Sequence, residues 1–323
     1  SILGHILYES GEDVTAFLGG IVENYNSNLI GSGKTITVVE ADEFDRSFLH
    51  LHPNIACVTS MDADHLDIYG DVSAIEESFR EFADKVQDKT KIFVPKGLDL
   101  KGLTVAINDD ATFKAFNIRI ENSSYVFDVQ TPTETITNIA FNLPGHHNLM
   151  NALMALAMAF IYGVKPQLIK NALATFKGVQ RRFSYQIKSD NIVYIDDYAH
   201  HPTEINAVHQ AVRELYPNKK VLAIFQPHLF SRTKDFADDF AKKLSQFDEI
   251  ILLEIYPARE LPIEGITSSW LLNKIENKNK RLLNKENLLE ELQKTEANIV
   301  VTIGAGDIGE MVLEIKNTLQ HKK

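Results

Sequence analysis

Residues 192–204 read IVYIDDYAHHPTE, an apolar run that ends in two carboxylates, a phenol and two imidazoles. Pro202 then fits the first turn of a helix, with the acidic Glu204 close behind it. A strand, a polar turn and a helix in this order are typical of α/β domains, which bind ligands at the carboxyl ends of their strands. Because clustered ionisable side chains favour functional sites, the stretch predicts both an α/β fold and a site.

Strand-like and helical runs alternate along the rest of the chain, as expected for mostly parallel sheets with crossover helices. In the first part we expect strands at 36–40, 55–59, 92–95 and 104–108, an antiparallel pair at 124–130 and 135–142, and helices at 72–86, 147–162 and 166–176. In the second part we expect strands at 192–195, 221–226, 250–255 and 299–303, and helices at 202–215, 231–247, 268–275, 285–294 and 307–319. The pattern predicts two α/β domains, residues 1–180 and a doubly wound domain of residues 181–323.

The composition limits the class of protein. The 323 residues are 44% hydrophobic, which is enough for two domains with buried cores. A net charge of −11 argues against nucleic acid or an anionic membrane as partner. Cys57 is the only cysteine, which excludes an intrachain disulfide and fits a cytoplasmic location. No apolar run has membrane-spanning length, and the Lys- and Asn-rich stretch 273–287 is expected to be solvated surface. The sequence leaves the oligomeric state open.

Carboxylates crowd the end of one predicted strand, in EADEFD at residues 40–45. Such a cluster repels itself unless a cation is present, and hard oxygen ligands favour Mg²⁺. A helix N-terminus would explain Asp42, Glu43 and Asp45 equally well, but it would not explain Glu40. If strands 36–40 and 55–59 are neighbours, His65 of the acidic segment 59–70 emerges beside Glu40, either as a second ligand or as a structural histidine.

Three further segments carry candidate binding groups. Asn148 and Asn151 lie three residues apart, so they share a helix face and either read a base edge or cap the helix. Arg181 and Arg182 lie at the domain boundary, and guanidinium groups suit phosphate. In QPHLFSRT, residues 226–233, His228 and Arg232 are suited to bind a carboxylate.

Two glycine patterns are interpreted as structural. GSGKT at 31–35 lacks the earlier glycine of a phosphate loop and precedes a strand instead of a helix, so we expect a hairpin turn. Gly304, Gly306 and Gly309 match a dinucleotide fingerprint, but the chain ends before a complete βαβ unit could follow them. We expect this segment to allow tight strand–helix packing, and an NAD-dependent dehydrogenase is disfavoured.

Taken together these segments resemble the Mur ligases, the ATP-dependent amino-acid ligases of peptidoglycan synthesis. The resemblance runs through nearly the whole chain and is carried, in order, by EADEFDRSFLHLHPNIACVTSMDADHLDIYGD (40–71), LPGHHNLMNALMAL (143–156), GVQRRF (178–183), DDYAHHPTEI (196–205), FQPHLFSRT (225–233) and GAGDIG (304–309). It implies a central ATP-binding domain followed by a Rossmann-like ligase domain. Two departures are Leu229, where the family often has Arg, and Ser60, where it often has Asn.

The resemblance also implies roles for single residues. On the nucleotide side it implies that Glu40 and His65 bind Mg²⁺ and that Asn148 and Asn151 lie in the segment that contacts adenine. It also implies that Arg182, with Arg181 beside it, lies near the ATP phosphates, and that Asp196 or Asp197 lies near the ribose. On the amino-acid side it implies a binding region at Tyr198, His200, His228 and Arg232. The amine that attacks must be deprotonated, so His200 is a hypothesis for the general base.

The reaction implied is transfer of the γ-phosphoryl group of ATP to a carboxylate, followed by attack of an amino acid on the acyl phosphate. The motifs are most similar to those of the member that joins L-alanine to UDP-N-acetylmuramate. An alternative is the member that attaches recycled murein tripeptide to the same sugar, although Tyr198 and Glu204 favour L-alanine. A further alternative is a nucleotide-binding module without catalysis. The resemblance implies that a UDP-binding domain and a GTxGKT phosphate loop would precede Ser1, so residues 1–323 alone are expected to be inactive.

Overall fold

A computed structural model describes residues 1–61, 69, 72–121 and 124–321. His65, with Asp62, Asp64 and Asp67, lies outside the described residues, so its expected role as a ligand stays a prediction. The chain divides into two compact units, Ser1–Gly178 and Val179–Lys323.

Unit 1 contains two sheets. The first has the strand order β2-β1-β3, in which β1 pairs antiparallel with β2 and parallel with β3. The second has the order β4-β5-β6-β7-β8-β9, parallel from β4 to β7 and antiparallel through β8 and β9. The strands are β1 Val14–Val22, β2 Ser27–Ile30, β3 Ile36–Val39, β4 Ala56–Cys57, β5 Ile92–Pro95, β6 Leu103–Ile107, β7 Phe113–Glu121, β8 Ser124–Gln130 and β9 Thr135–Phe141. The helices are α1 Ile2–Glu9, α2 Val72–Asp84, α3 His146–Tyr162 and α4 Pro166–Thr175.

For unit 1, one condition is not met and one expectation is wrong. The strands near residues 36–40 and 55–59 are not neighbours among the described pairings, because β3 pairs with β1 whereas β4 pairs with β5 in the other sheet. The GSGKT segment is not a hairpin, because it links β2 and β3, which lie on opposite sides of β1. Its backbone is fixed by Asp13, whose carboxylate accepts hydrogen bonds from the Lys34 N–H at 3.0 Å and the Thr35 hydroxyl at 2.5 Å.

Unit 2 is one six-stranded sheet in the order β10-β11-β15-β12-β13-β14, parallel except for the antiparallel edge strand β10. The strands are β10 Ser184–Lys188, β11 Val193–Asp197, β12 Val221–Phe225, β13 Glu249–Leu252, β14 Lys280–Leu282 and β15 Ile299–Ile303. The helices are α5 Pro202–Leu215, α6 Phe230–Asp235, α7 Ala237–Leu244, α8 Ser268–Lys274, α9 Lys285–Lys294 and α10 Val312–Gln320. The predicted α/β class, with mostly parallel sheets, is confirmed.

Helices cover both faces of this sheet. Alternate residues of the central strands belong to two separate apolar clusters, so that Ala223 packs on one side and Leu222 on the other. A strand buried on both faces reads as a continuous apolar run, which is why the sequence reveals it. The polar stretch 273–287 is only partly surface, because it contains β14 at the sheet edge. The expected helix 231–247 is interrupted at Phe236.

None of the helices within the described residues is long and apolar enough to cross a bilayer.

Leu292 of α9 is fully buried, whereas Leu261 is 85% exposed. We expect Leu292→Ala to lower the free energy of unfolding of unit 2 by about 2–5 kcal/mol, because a cavity remains where the side chain packed. The control, Leu261→Ala, should change it by less than about 0.5 kcal/mol. Urea unfolding followed by fluorescence of Trp270, the only tryptophan, measures both. Equal effects of the two substitutions would contradict the described core.

Candidate active site

The candidate site of unit 2 lies at the carboxyl ends of β11, β15 and β12. These strands are parallel and in register, with Asp197 opposite Ile303 and Ile303 opposite Phe225. Their following segments therefore leave the sheet at the same edge, where α/β domains bind ligands.

Asp197 fixes the first of these segments. Its side chain is buried, and its two oxygens accept backbone hydrogen bonds from Phe183 N–H and Ala199 N–H, each at 2.7 Å. Burial raises the pKa of Asp197 to about 6, although both hydrogen bonds oppose the shift. The carboxylate thus joins the chain before β10 to the turn after β11.

Asp196 is held by a different set of partners. It is 1% exposed, and its carboxylate accepts hydrogen bonds from the Thr302 hydroxyl at 2.7 Å and from Arg181 Nε at 3.2 Å. The Tyr194 hydroxyl lies 3.1 Å from Thr302 Oγ1 and completes a buried network. Burial raises the pKa of Asp196, against the opposing effects of Thr302 and Arg181. Both acids are thus engaged within unit 2, and a contact of either with a ribose stays a prediction.

The start of α5 is set by a reciprocal cap. Glu204 Oε2 accepts hydrogen bonds from the backbone N–H groups of His200 at 2.7 Å and His201 at 3.1 Å. The His201 side chain accepts from Thr203 N–H at 3.4 Å, so His201 serves the helix terminus. Of the two adjacent histidines, His201 therefore has its Nδ1 engaged in the cap of α5.

His200 and His228 come together although 28 positions separate them in the sequence. Their ring centroids are 6.1 Å apart. His200 Nδ1 lies 3.0 Å from the Tyr198 carbonyl oxygen, so a proton on Nδ1 satisfies that oxygen and leaves Nε2 as an acceptor. Burial lowers the pKa of His200, although the Glu204 carboxylate opposes the shift. The imidazole is therefore neutral at pH 7 and able to take a proton.

The side chain of His228 is partly buried beside Tyr256. Its ring stacks on Tyr256 at 5.8 Å, and its buried Nδ1 has no hydrogen-bond partner in the described part of the chain. Burial lowers the pKa of His228 to about 4, with help from the charges of His200 and Arg232. This Nδ1 is thus a buried polar atom whose hydrogen-bonding capacity the described residues leave unsatisfied.

Sequence reasoning missed Glu260. Its carboxylate accepts hydrogen bonds from Ser231 N–H at 3.0 Å and from the Ser231 hydroxyl at 2.5 Å. Although burial opposes it, these bonds hold the pKa of Glu260 below its usual value. Glu260 therefore fixes the segment that carries His228 and Arg232. It follows β13 in an irregular loop, where no periodic pattern could have revealed it.

The adjacent arginines differ in their surroundings. The Arg181 side chain is 28% exposed and also donates from Nη2 to the Gly304 carbonyl oxygen at 2.5 Å. The Arg182 side chain is 56% exposed, with Nη1 3.6 Å from Glu204. Both guanidinium carbons lie over the Tyr198 ring, at 4.9 and 5.6 Å from its centroid. Arg182 is thus the more accessible of the two for a phosphate.

The candidate nucleotide groups of unit 1 lie at a strand end and a helix start. Glu40 follows β3, is exposed, and accepts a hydrogen bond from Gly19 N–H at 2.9 Å. Asn148 donates to the Pro144 carbonyl oxygen at 2.7 Å, as a helix-start residue would, whereas Asn151 is exposed. Among the described residues no group of three His, Cys, Asp or Glu side chains forms a metal cluster.

Comparison with known proteins gives matches over both units. The model of the Mur ligase middle domain matches residues 24–159, and that of the Mur ligase, glutamate ligase domain matches residues 181–306. The chain is 74% identical over 322 residues to a UDP-N-acetylmuramate–L-alanine ligase of Flavobacterium psychrophilum, covering 100% of the chain and 72% of that relative. A relative of the same name from Flavobacterium johnsoniae is 70% identical over 319 residues, covering 99% of the chain and 71% of that relative.

Solved structures give the same picture. A UDP-N-acetylmuramate–alanine ligase from Thermotoga maritima superposes with a TM-score of 0.81 at 26% identity, covering 100% of this chain and 72% of that one. A murein peptide ligase from Psychrobacter arcticus has a TM-score of 0.63 at 20% identity, covering 99% and 74%, and shows likeness of fold alone.

The pKa of His228 predicts how the stability of unit 2 depends on pH. Between the ordinary value of 6.5 and about 4, the unfolded chain binds a proton at His228 that the folded chain does not. Stability supplied by neutral His228 is therefore present above pH 6.5 and is lost as the pH falls. We therefore compare the free energy of unfolding of His228→Gln with that of the unsubstituted protein at pH 7.5 and at pH 5.0. As the pH falls, we expect the difference to shift in favour of the variant by on the order of 1 kcal/mol, after allowance for solvent screening.

Urea unfolding at both pH values, followed by Trp270 fluorescence, measures this difference. The matched control is His321→Gln, at the exposed end of α10. A pH-independent difference between His228→Gln and the unsubstituted protein would contradict the lowered pKa.

Proposed function

This chain belongs to the Mur ligase family, and from that membership we propose that it joins L-alanine to UDP-N-acetylmuramate with consumption of ATP, in peptidoglycan synthesis. The observation that carries the proposal is the 74% identity, over the whole chain, to a relative named for this ligation. The murein-tripeptide alternative has no comparable support, because the peptide ligase is similar in fold alone. With ATP as substrate and a single cysteine in the chain, the proposed location is the cytoplasm.

The proposed reaction has two steps. A carboxylate oxygen of the muramate attacks the γ-phosphorus of ATP, the bond to the bridging oxygen breaks, and ADP leaves. The nitrogen of L-alanine then attacks the acyl carbon, phosphate leaves with the oxygen, and the nitrogen loses a proton. Because an anion attacks an anion in the first step, cationic groups must offset the charge.

We assign the residues of unit 2 to the two substrates by accessibility and charge. Arg182 is proposed to bind phosphate, since its guanidinium is exposed and suited to a planar, bidentate contact. Arg232 and His228 are proposed to bind the carboxylate of L-alanine, with Tyr198 beside them. The unpaired Nδ1 of His228 supports this role, because it can donate to a carboxylate without losing an existing bond.

His200 is proposed as the base that takes the proton of the attacking amine. It is neutral at pH 7 because burial lowers its pKa, and the Tyr198 carbonyl oxygen orients the ring. A neutral imidazole with one free nitrogen has the protonation state that the second step needs.

The nucleotide is proposed to bind unit 1 with Mg²⁺. The Glu40 carboxylate fits a magnesium ion, because it is exposed and Gly19 leaves the space around it open; a Cβ at Gly19 would lie 2.7 Å from Glu40 Oε1. A site with one carboxylate and substrate oxygens is usual for Mg²⁺, which when bound neutralises charge on the phosphates. Asn148 and Asn151 are proposed to contact the adenine, and His65 remains a proposed second ligand.

The first test uses a chimeric protein in which residues 1–323 replace the matched region of the Flavobacterium psychrophilum relative. With ATP, magnesium and UDP-N-acetylmuramate, phosphate release is expected to depend on L-alanine. Glycine, L-serine and murein tripeptide are compared in parallel. Release only with tripeptide would assign the chain to the recycling reaction, and no release with any acceptor would contradict ligase activity and favour a nucleotide-binding module.

The second test addresses the base. We expect His200→Ala in the chimeric protein to lower kcat for amide formation by about 10²- to 10⁴-fold, because proton removal from the amine becomes unassisted. Formation of ADP in the first step should change far less, and His321→Ala serves as the control. Amide formation that is unchanged across the pH range would show that His200 is not the base.

A further inference from the structure

We propose that Arg181 is a positioning residue, which holds Tyr198 and through it His200, and that Gly309 supplies the space its guanidinium occupies. The inference rests on the proposed function. It assigns a role to Arg181 and to Gly309, which lies 128 positions further along the chain. It also explains why the last residue of the GAGDIG segment is a glycine, which tight strand–helix packing alone did not explain.

The Arg181 guanidinium is fixed from two sides within unit 2. Nε donates to the buried Asp196 carboxylate at 3.2 Å, and Nη2 donates to the Gly304 carbonyl oxygen at 2.5 Å. Asp196 is in turn bound by Thr302 of the neighbouring strand at 2.7 Å. A charge-assisted contact to a buried carboxylate orients a planar guanidinium strongly.

Gly309 lies directly against this group. A Cβ built on Gly309 would lie 2.5 Å from Arg181 Cζ and 2.6 Å from Nη1, and its three nearest atoms all belong to Arg181. The backbone of Gly309 is outside the left-handed region, so alanine suits its conformation. The nearest obstacle to a Cβ at position 309 is therefore the Arg181 side chain.

Arg181 then contacts Tyr198 at two points, with its guanidinium at the ring and with its backbone at the Tyr198 N–H. The guanidinium carbon lies 4.9 Å from the centroid of the Tyr198 ring, and the Tyr198 N–H donates to the Arg181 carbonyl oxygen at 2.6 Å. The Tyr198 ring packs edge-on against His200 at 5.4 Å, and the Tyr198 carbonyl oxygen is the partner of His200 Nδ1. A displaced Arg181 guanidinium would thus release the Tyr198 ring, which packs against the proposed base.

A double-substitution cycle tests the proposal, with Gly309→Ala, Arg181→Ala and both together in the chimeric protein. Each single substitution is expected to lower kcat/KM for L-alanine on the order of ten- to hundredfold, because small displacements of catalytic groups are costly. The KM for ATP should stay within about twofold. The double variant should be no slower than Arg181→Ala, because the new methyl then enters vacated space. Glu310→Ala, exposed and adjacent, is the control and should be unaffected.

The proposal would be overturned if the two losses in kcat/KM for L-alanine multiply in the double variant. It would also be overturned by a change confined to the KM for ATP, because that would make Arg181 a phosphate ligand. Should Arg181→Ala fail to fold, Arg181→Lys takes its place in the cycle, with the same expectations. The same cycle is also measured by urea unfolding of residues 1–323 with Trp270 fluorescence. If the changes in the free energy of unfolding are not additive, the Gly309–Arg181 contact is supported, even if the chimeric protein shows no ligation. Absence of ligation would then count against the proposed function alone. Additive changes in the free energy of unfolding would overturn the contact.

Discussion

Two carboxylates buried at the end of one central strand constrain the rest of unit 2. Moving a carboxylate out of water costs several kcal/mol unless hydrogen bonds or a countercharge compensate. Asp197 is compensated by two backbone N–H groups and Asp196 by Thr302 and Arg181. These partners come from the chain before β10, the turn after β11 and the adjacent strand β15. The polar groups at the sheet edge are therefore placed by the need to satisfy two acids that never reach the surface.

The same arrangement produces an uncommon distribution of charge. Most of the acids in the site are engaged by backbone or hydroxyl donors, while the two imidazoles are kept neutral by burial. Cationic character remains on the side chains of Arg182 and Arg232. A site of this kind suits a reaction in which anionic substrates are bound by guanidinium groups while a proton is accepted from an amine at neutral pH.

The central strands of unit 2 could be predicted from the sequence because they are buried on both faces, whereas β1, β2 and β7 of unit 1 were missed. The helix Pro202–Leu215 and the strand Ile299–Ile303 were predicted with their observed bounds. The edge strands β10 and β14 were missed, since most of their side chains are polar and give no apolar run. The different surroundings of Arg181 and Arg182 depend on residues more than 100 positions away, such as Gly304 and Gly309. No local pattern contains that information.

The turn between β11 and α5 is closed by side chains at both ends, and this fixes its length. Asp197 binds the backbone of Ala199 two residues ahead, and Glu204 binds the backbone of His200 and His201 behind it. An insertion or deletion between Asp197 and Ala199, or between His201 and Glu204, would break at least one of these bonds and alter the turn that carries His200. Most surface turns tolerate changes in length between homologues. In this turn the number of residues matters to the site as much as their identity.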